Sequence, residues 1–452
     1  RISVTRKCEV RDRLAHSRPP ADRPPRSVVA LTGAPGDYDP IVRRAREADY
    51  VLLGEASHGT REFYRERAQI TRRLIEEEGF SVVAVEADWP DAYRVNRFVR
   101  GAGADAGAAA ALSDFCRFPR WMWRNTEVAE FVAWLRAYND SLPAGARKVG
   151  FYGLDLYAIY TAMEEVVRYL DDVDPAAAGR ARERYACFGQ FGRDARAYGR
   201  ETGLGGAEPC ERDAVAQLLE LRALAAAAVP DDGELDEDRR FYVEQNARLV
   251  VEAERHYRAV FRAGQDSWNL RDRHMAQTLE ELVAHARRRD PEAKAVVWEH
   301  NTHVGDARAT EMTELGQLSV GQLMRERHGV RALIIGFTTY AGSVTAASEW
   351  GAEGERKRVR PARPGSWEDV FHELREPVFM VDAQALEGSA LQRAIGVVYR
   401  PETELVSHYF NARAGEQFDV VIHLDETHAV APLEPTSGWE RGELPDTYPW
   451  GT

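Results

Sequence analysis

The chain has 452 residues, 44% of them hydrophobic, with 60 Lys+Arg against 73 Asp+Glu, a net charge of −13 and a sequence pI of about 5.5. That apolar fraction supplies a sizeable core, and the acidic balance speaks against nucleic acid or an anionic membrane as the main partner. Four cysteines (Cys8, Cys116, Cys187, Cys210) are scattered without a C-x-x-C pair, which predicts reduced thiols in a cytoplasmic protein with neither a disulfide frame nor a cysteine metal knot.

Residues 1–27 carry Ser17-Arg18-Pro19-Pro20 and Arg23-Pro24-Pro25-Arg26 and read as an irregular leader, with order beginning near Val28. Neither a secretory signal nor a membrane span is visible in this sequence. The first strong signal is Val51-Leu52-Leu53, an apolar run that stops at Gly54 and gives way to Glu55, Ala56, Ser57, His58 and Gly59. A helix should follow, with Thr60 as its N-cap and an inward stripe of Phe63, Ile70 and Leu74. Arg67 falls on that stripe. An arginine there either snorkels along apolar surface or partners nearby carboxylates and stabilises an anion.

A second strand, Val82 to Val85, ends in Glu86, Ala87 and Asp88. Runs that are apolar on both faces belong to parallel sheets covered by helices, and in such sheets the ligand crevice lies beyond the carboxyl ends of the strands. Glu55, His58 and Glu86 all stand at such ends. The Gly/Ala/Asp stretch at 101–112 is a connector entering a short helix. Phe118-Pro119-Arg120-Trp121-Met122-Trp123-Arg124 precedes a helix over Val128 to Tyr138; Trp123 is a candidate for lining a substrate pocket, although aromatic clusters more often form core. A third strand, Val149 to Tyr152, delivers Asp155 just past its end.

From about 161 to 290 the pattern is wholly helical, with loops expected at 171–179 and 230–238. Ala295 to Trp298 then forms a strand ending in Glu299-His300-Asn301-Thr302-His303, and further strands are expected at 333–337, 378–381, 396–398 and 419–422. The predicted architecture is α/β: a mostly parallel sheet core with flanking helices (28–160 and 291–452) and a large helical lobe over the active-site edge, within one catalytic domain.

Several chemistries are open to such residues. A phosphate-cradling glycine motif is absent after the first strand, and Glu55-Ala56-Ser57-His58-Gly59 lacks the first glycine of a nucleophile elbow, which counts against Ser57. His300-x-x-His303 with Glu55, Glu86 and His58 resembles a zinc set in composition but is not the helical H-E-x-x-H. The favoured reading is metal-free and cofactor-free general acid–base hydrolysis, with His58 activating water.

Gly54 to Phe63, Val85 to Pro90, Trp268-Asn269-Leu270-Arg271-Asp272, His300 to Val304 and Val344 to Trp350 resemble, in order, motifs of the erythromycin esterase family, over nearly the whole chain from about residue 45. The resemblance implies an α/β core with a helical lobe over a deep cleft, and hydrolysis of a macrolide lactone ester in the members that confer antibiotic resistance. Carried over by position, it implies His58 as general base with Glu55, Arg67, Glu86 and His300 as catalytic companions. His303, Asp88, Asp155, Trp123 and Arg271 are expected to contact a small-molecule substrate. The alternatives are a non-hydrolytic cyclisation or elimination in natural-product assembly, and a binding protein without chemistry; the paired His and Glu at strand ends argue against the latter.

Overall fold

In a computed structural model of the protein, residues 28–34, 36–227, 233–262 and 267–442 are described. The expected leader at 1–27 lies outside them. Eleven strands are found among these residues: β1 (Val29–Ala30), β2 (Tyr50–Leu53), β3 (Val82–Asp88), β4 (Gly150–Asp155), β5 (Ala295–Trp298), β6 (Ala332–Ala346), β7 (Glu355–Val359), β8 (Val378–Asp382), β9 (Ala390–Arg393), β10 (Tyr409–Ala412) and β11 (Val420–Thr427). The chain divides into two compact units.

The first unit comprises residues up to Val83, Asp105–Val149 and Lys294 onward. Its sheet runs β1-β8-β11-β6-β2-β5, with β7 hydrogen-bonded to the far end of β6. β11, β6, β2 and β5 are mutually parallel; β8 and β1 add an antiparallel edge. Every residue of β2 and β5 is buried, which is why their sequences are apolar without alternation. The Arg61–Glu78 helix follows β2 and buries Phe63, Ile70 and Leu74 as its spacing predicts. Thr60 does occupy its N-cap position, yet its side chain makes no capping bond; its hydroxyl pairs with Ser57 Oγ at 2.5 Å instead. The Thr126–Ser141 helix does use its cap, Asn125 Oδ1 accepting from Val128 N at 2.8 Å.

The second unit comprises Ala84–Ala104 and Gly150–Ala293. It holds β4 and most of β3, which are neighbours, the Trp89–Val99 helix, and the block of long helices foreseen at 161–290. The loop expected at 171–179 shrinks to one residue: Asp174 ends one helix and caps the next through Ala176 N and Ala177 N. Of the loop expected at 230–238, residues from Gly233 onward already belong to the Gly233–Phe261 helix, and 230–232 lie outside the described residues. 

Two further expectations are corrected. Gly396–Val398 is not a strand; Val398 makes an isolated bridge to Ala347, while the preceding Ile395 bridges Ser57 and pins the turn around His58. Cys187 and Cys210 form a disulfide, their Cα atoms 6.1 Å apart, where free thiols were expected. A separation of 23 residues matches no short cysteine motif, so spacing gave no sign of it. Among the described residues no helix is long and apolar enough to cross a membrane.

Candidate active site

The first unit assembles its polar centre from the turns that follow β2 and β5. Glu55 and His58 leave β2 with 1% and 6% exposure. His58 Nδ1 lies 2.7 Å from Glu55 Oε1. An ionised carboxylate can only accept, so Nδ1 carries the proton and donates it, and in the neutral ring Nε2 then holds the lone pair. The second carboxylate oxygen, Oε2, accepts from Arg67 NH2 at 2.7 Å. Arg67 has no exposed surface at all. Its guanidinium lies 4.6 Å from the Tyr64 ring centroid and 5.2 Å from that of Trp298, while its Nε and NH1 find no hydrogen-bond partner. Two π faces and one carboxylate thus hold a buried cation, and the Trp298 indole is itself fixed by a 2.9 Å bond to Thr71 Oγ1.

His300 comes from the turn after β5. Its ring centroid is 4.9 Å from that of His58 at 51°. Its Nδ1 accepts from Thr302 N at 3.2 Å and lies 2.8 Å from Thr302 Oγ1. A backbone N–H can only donate, so the neutral ring carries its proton on Nε2. With both rings neutral, the two imidazoles present opposite characters at Nε2, an acceptor on His58 and an N–H donor on His300.

The turns are clamped to one another. Asn301 N donates to Glu55 O at 2.8 Å, Asn301 Nδ2 donates to Phe337 O at 2.6 Å and Phe337 N to Asn301 Oδ1 at 3.2 Å. A Cβ on Gly54 would stand 2.1 Å from Asn301 Oδ1, so glycine is required for this approach. On the other side His58 N donates to Ile395 O and Ile395 N to Ala56 O, at 3.0 and 2.8 Å. Gly59 has φ +72, and its ideal Cβ would meet Thr345 O at 2.1 Å. Ser57, with its hydroxyl on Thr60, is 1% exposed.

The second unit carries its own charged cluster. Arg271, on the Ser267–Arg287 helix, donates from NH2 to Glu86 Oε1 at 2.8 Å and grips Asp155 with Nε to Oδ1 at 3.0 Å and NH2 to Oδ2 at 2.6 Å. The guanidinium lies 5.1 Å from the Tyr157 ring centroid. Glu86 and Asp155 are 5% and 4% exposed. The Asp155 and Glu86 charges around Arg271 raise its pKa well above the ordinary value against the opposing effect of burial, which is the larger single influence. Burial pushes the Tyr157 phenol up to about 12, keeping it a neutral donor.

Of the residues singled out by sequence, Glu55, His58, Arg67 and His300 come together in one unit, and Glu86, Asp155 and Arg271 in the other. Asp88 Oδ1 accepts from Ala158 N at 2.8 Å, an anchoring role for the start of the Ile159–Val173 helix. Trp123 is 6% exposed and packs edge-on against Tyr64 at 6.3 Å, so it buttresses the residue that stacks on Arg67. His303 is 2% exposed, its backbone N–H donating to His300 O. Sequence reasoning passed over Asn301, Thr302 and Tyr157; a polar run directly after a buried strand was the available signal for the first two. Among the described residues no three His, Cys, Asp or Glu side chains converge as a metal-ligand set.

A mostly parallel sheet with a buried Glu–His pair in the turn after β2 defines an α/β protein. The profile of the erythromycin esterase family matches residues 75–427, well over half of the chain, and the protein belongs to that family. Its Glu55–Arg67 stretch precedes the matched segment. The chain is 23% identical over 331 residues to erythromycin esterase type II of Escherichia coli, covering 69% of this chain and 73% of that one. Among solved structures it resembles a succinoglycan biosynthesis protein (TM-score 0.70, 21% identity, 89% of this chain and 95% of that one). It also resembles a mutant of the erythromycin esterase EreC in its open conformation (TM-score 0.65, 15% identity, 88% and 95%). At these identities the structural matches establish a common fold.

Proposed function

We propose that the protein hydrolyses an ester or lactone of a natural-product-like small molecule, with His58 as the general base. The observation that carries this is the shared carboxylate of Glu55, 2.7 Å from both His58 Nδ1 and Arg67 NH2. It fixes one tautomer and leaves Nε2 to take a proton from water. Water oxygen then bonds to the carbonyl carbon, the His300 Nε2–H stabilises the oxyanion, and collapse expels the alkoxide, which takes the proton back from the His58 imidazolium. Arg67 holds Glu55 in place. For Glu86 the proposed role is a catalytic carboxylate, and for Arg271 and Asp155 a substrate-facing pair; a buried array of two acids and one guanidinium is costly to desolvate and is better explained by use than by stability.

The test is product mass together with mutation, beginning with macrolide lactones because the Escherichia coli relative is named for erythromycin. Hydrolysis yields a product heavier by one water, and His58→Asn lowers turnover by at least ~100-fold in a folded protein. A product of unchanged mass, or near-normal turnover of the folded mutant, rejects the proposal.

A further inference from the structure

Three elements of the second unit meet at His256, which stands on the Gly233–Phe261 helix and is 5% exposed. Its Nδ1 lies 3.0 Å from the carbonyl oxygen of Ser267, the first residue of the helix that carries Arg271. A carbonyl oxygen can only accept, so Nδ1 bears the proton and, in the neutral ring, Nε2 is an acceptor. The rings of Tyr157, just past β4, and Tyr257 hold the imidazole edge-on; their centroids lie 5.4 and 5.5 Å away, each at 80°. Tyr257 is fixed in turn, its hydroxyl donating to Tyr157 O at 3.0 Å.

Among the described residues neither His256 Nε2 nor the Tyr157 hydroxyl has a hydrogen-bond partner, yet both atoms keep surface that solvent reaches. Polar atoms on nearly buried side chains are normally matched within the fold; here an acceptor and a phenol are left for a molecule from outside. The charge nearby narrows what that molecule is. Burial, then the Arg271 charge, holds the imidazole neutral down to about 4, and Asp155 opposes this less strongly. Arg271 lies 5.1 Å from the Tyr157 ring centroid, so the charge that keeps His256 neutral also repels an ammonium donor. A carboxylate brings no proton for Nε2. A neutral hydroxyl does, and a second oxygen on the same ligand accepts from the Tyr157 phenol, which burial keeps protonated.

We propose that His256 and Tyr157 are specificity-determining residues for a neutral, hydroxylated part of the substrate, His256 Nε2 accepting from one hydroxyl and Tyr157 donating to a second oxygen. An analogue without the hydroxyl leaves Nε2 unmatched and is selected against for that reason. The assignment rests on the hydrolytic reading only in calling the bound molecule the substrate; the recognition itself requires no ester.

Methyl α-D-glucopyranoside tests it: a neutral ring with several hydroxyls and no ester. The readout is the ¹⁵N spectrum of the full-length protein labelled at histidine, with the His256 signals assigned by their disappearance in His256→Gln. At rest Nδ1 should carry the proton and Nε2 none. The glucoside should then shift the Nε2 signal saturably. Its tetra-O-methyl ether, which keeps every oxygen acceptor but has no donor, and the 2-amino-2-deoxy glucoside, which is cationic, should each bind at least ~10-fold more weakly. Tyr157→Phe keeps the ring and removes the hydroxyl, and should weaken the glucoside ~10-fold while leaving the resting Nδ1–H tautomer unchanged. A resting proton on Nε2, no saturable shift, equal binding of the methyl ether or the amine, or unaltered affinity in Tyr157→Phe would each overturn the proposal. Turnover does not enter the readout, so such a result leaves the hydrolytic reading standing, whereas a protein that binds the glucoside as described but hydrolyses no ester or lactone refutes that reading alone.

Discussion

Replacing Arg67 by methionine removes the guanidinium while keeping most of the apolar stem, and the structure sets the size of the effect. The lost interactions are one charge-assisted hydrogen bond to Glu55, worth about 1.5–3 kcal/mol, and two cation–π contacts of about 0.5–2 kcal/mol each at a desolvated site. Methionine recovers part of this through its own burial, about 1.5–3 kcal/mol. The balance lies between about zero and about 5 kcal/mol of destabilisation. The larger consequence is for Glu55, which stays 1% exposed with its Oε2 stripped of the cation. A buried carboxylate in that position either keeps its charge at high cost or takes up a proton, and a protonated Glu55 no longer fixes the His58 tautomer. By analogy with the loss of the orienting carboxylate of a hydrolase triad, turnover should fall by ~10²–10⁴. Arg67→Lys should recover little, because the compact ammonium cannot keep the planar fork between Tyr64 and Trp298. Long-range ¹H–¹⁵N spectra of the His58 ring give a readout free of substrate: Nδ1–H in the parent protein, a tautomer mixture in Arg67→Met. A folded Arg67→Met with the parent's melting temperature, tautomer and turnover would refute the reasoning and reduce Arg67 to packing.

Other perturbations follow from the same structure. Burial first, then the Asp37 charge, raises Glu66 to about 7, despite its bond to the half-exposed Arg65. The folded protein therefore holds a proton that the unfolded chain releases above 4.5, so stability is lost as pH rises from 4.5 through 7. Glu66→Gln should be more stable than the parent at pH 8, by up to on the order of 3 kcal/mol, and equal to it near pH 4.5 in denaturant titrations; equal stabilities at pH 8 would contradict this. His256 shows the opposite sign: burial, with a smaller push from Arg271, lowers it to about 4, so the unfolded chain takes the proton first and stability falls as pH drops from 6.5 toward 4. His256→Gln should flatten that acid limb by on the order of 3 kcal/mol, and an unchanged limb would count against it. Gly54→Ala places a methyl 2.1 Å from Asn301 Oδ1 and should cost at least ~2 kcal/mol in thermal unfolding while displacing the His300 turn; a neutral Gly54→Ala would show that the clamp yields freely.

The central part of the fold was legible because it rests on short-range patterns. β2 and β5 are fully buried, so their residues are apolar on both faces, and the polar residues after them mark strand ends. Arg67 stood out because a charge on an otherwise apolar helical stripe needs a reason. The partner of each charge was not legible. Arg67 was expected to partner nearby carboxylates, and it donates to Glu55; that Glu86 accepts from Arg271, 185 residues away along the chain, had no signal in the sequence. Such choices depend on side-chain reach in three dimensions, which periodicity does not encode. The same holds for Cys187 and Cys210, and for the 396–398 segment, whose strand-like composition makes one isolated bridge to Ala347 instead of a ladder.

The placement of β2 also bears on how the protein is made. Its two neighbours in the sheet come from much later in the chain, Tyr50 lying beside Ala295 on one side and Ala332 on the other. At roughly 5–20 residues per second of synthesis, β2 emerges on the order of 10–60 seconds before either neighbour exists. During that interval Val51, Leu52 and Leu53 have no lateral partners in their own sheet, and the Glu55–His58 turn has neither Asn301 nor Ile395 to hold it. Nascent chains stalled before residue 295 should therefore be rich in sticky, chaperone-bound intermediates, and the acid–base pair should take shape only as the last third of the protein arrives.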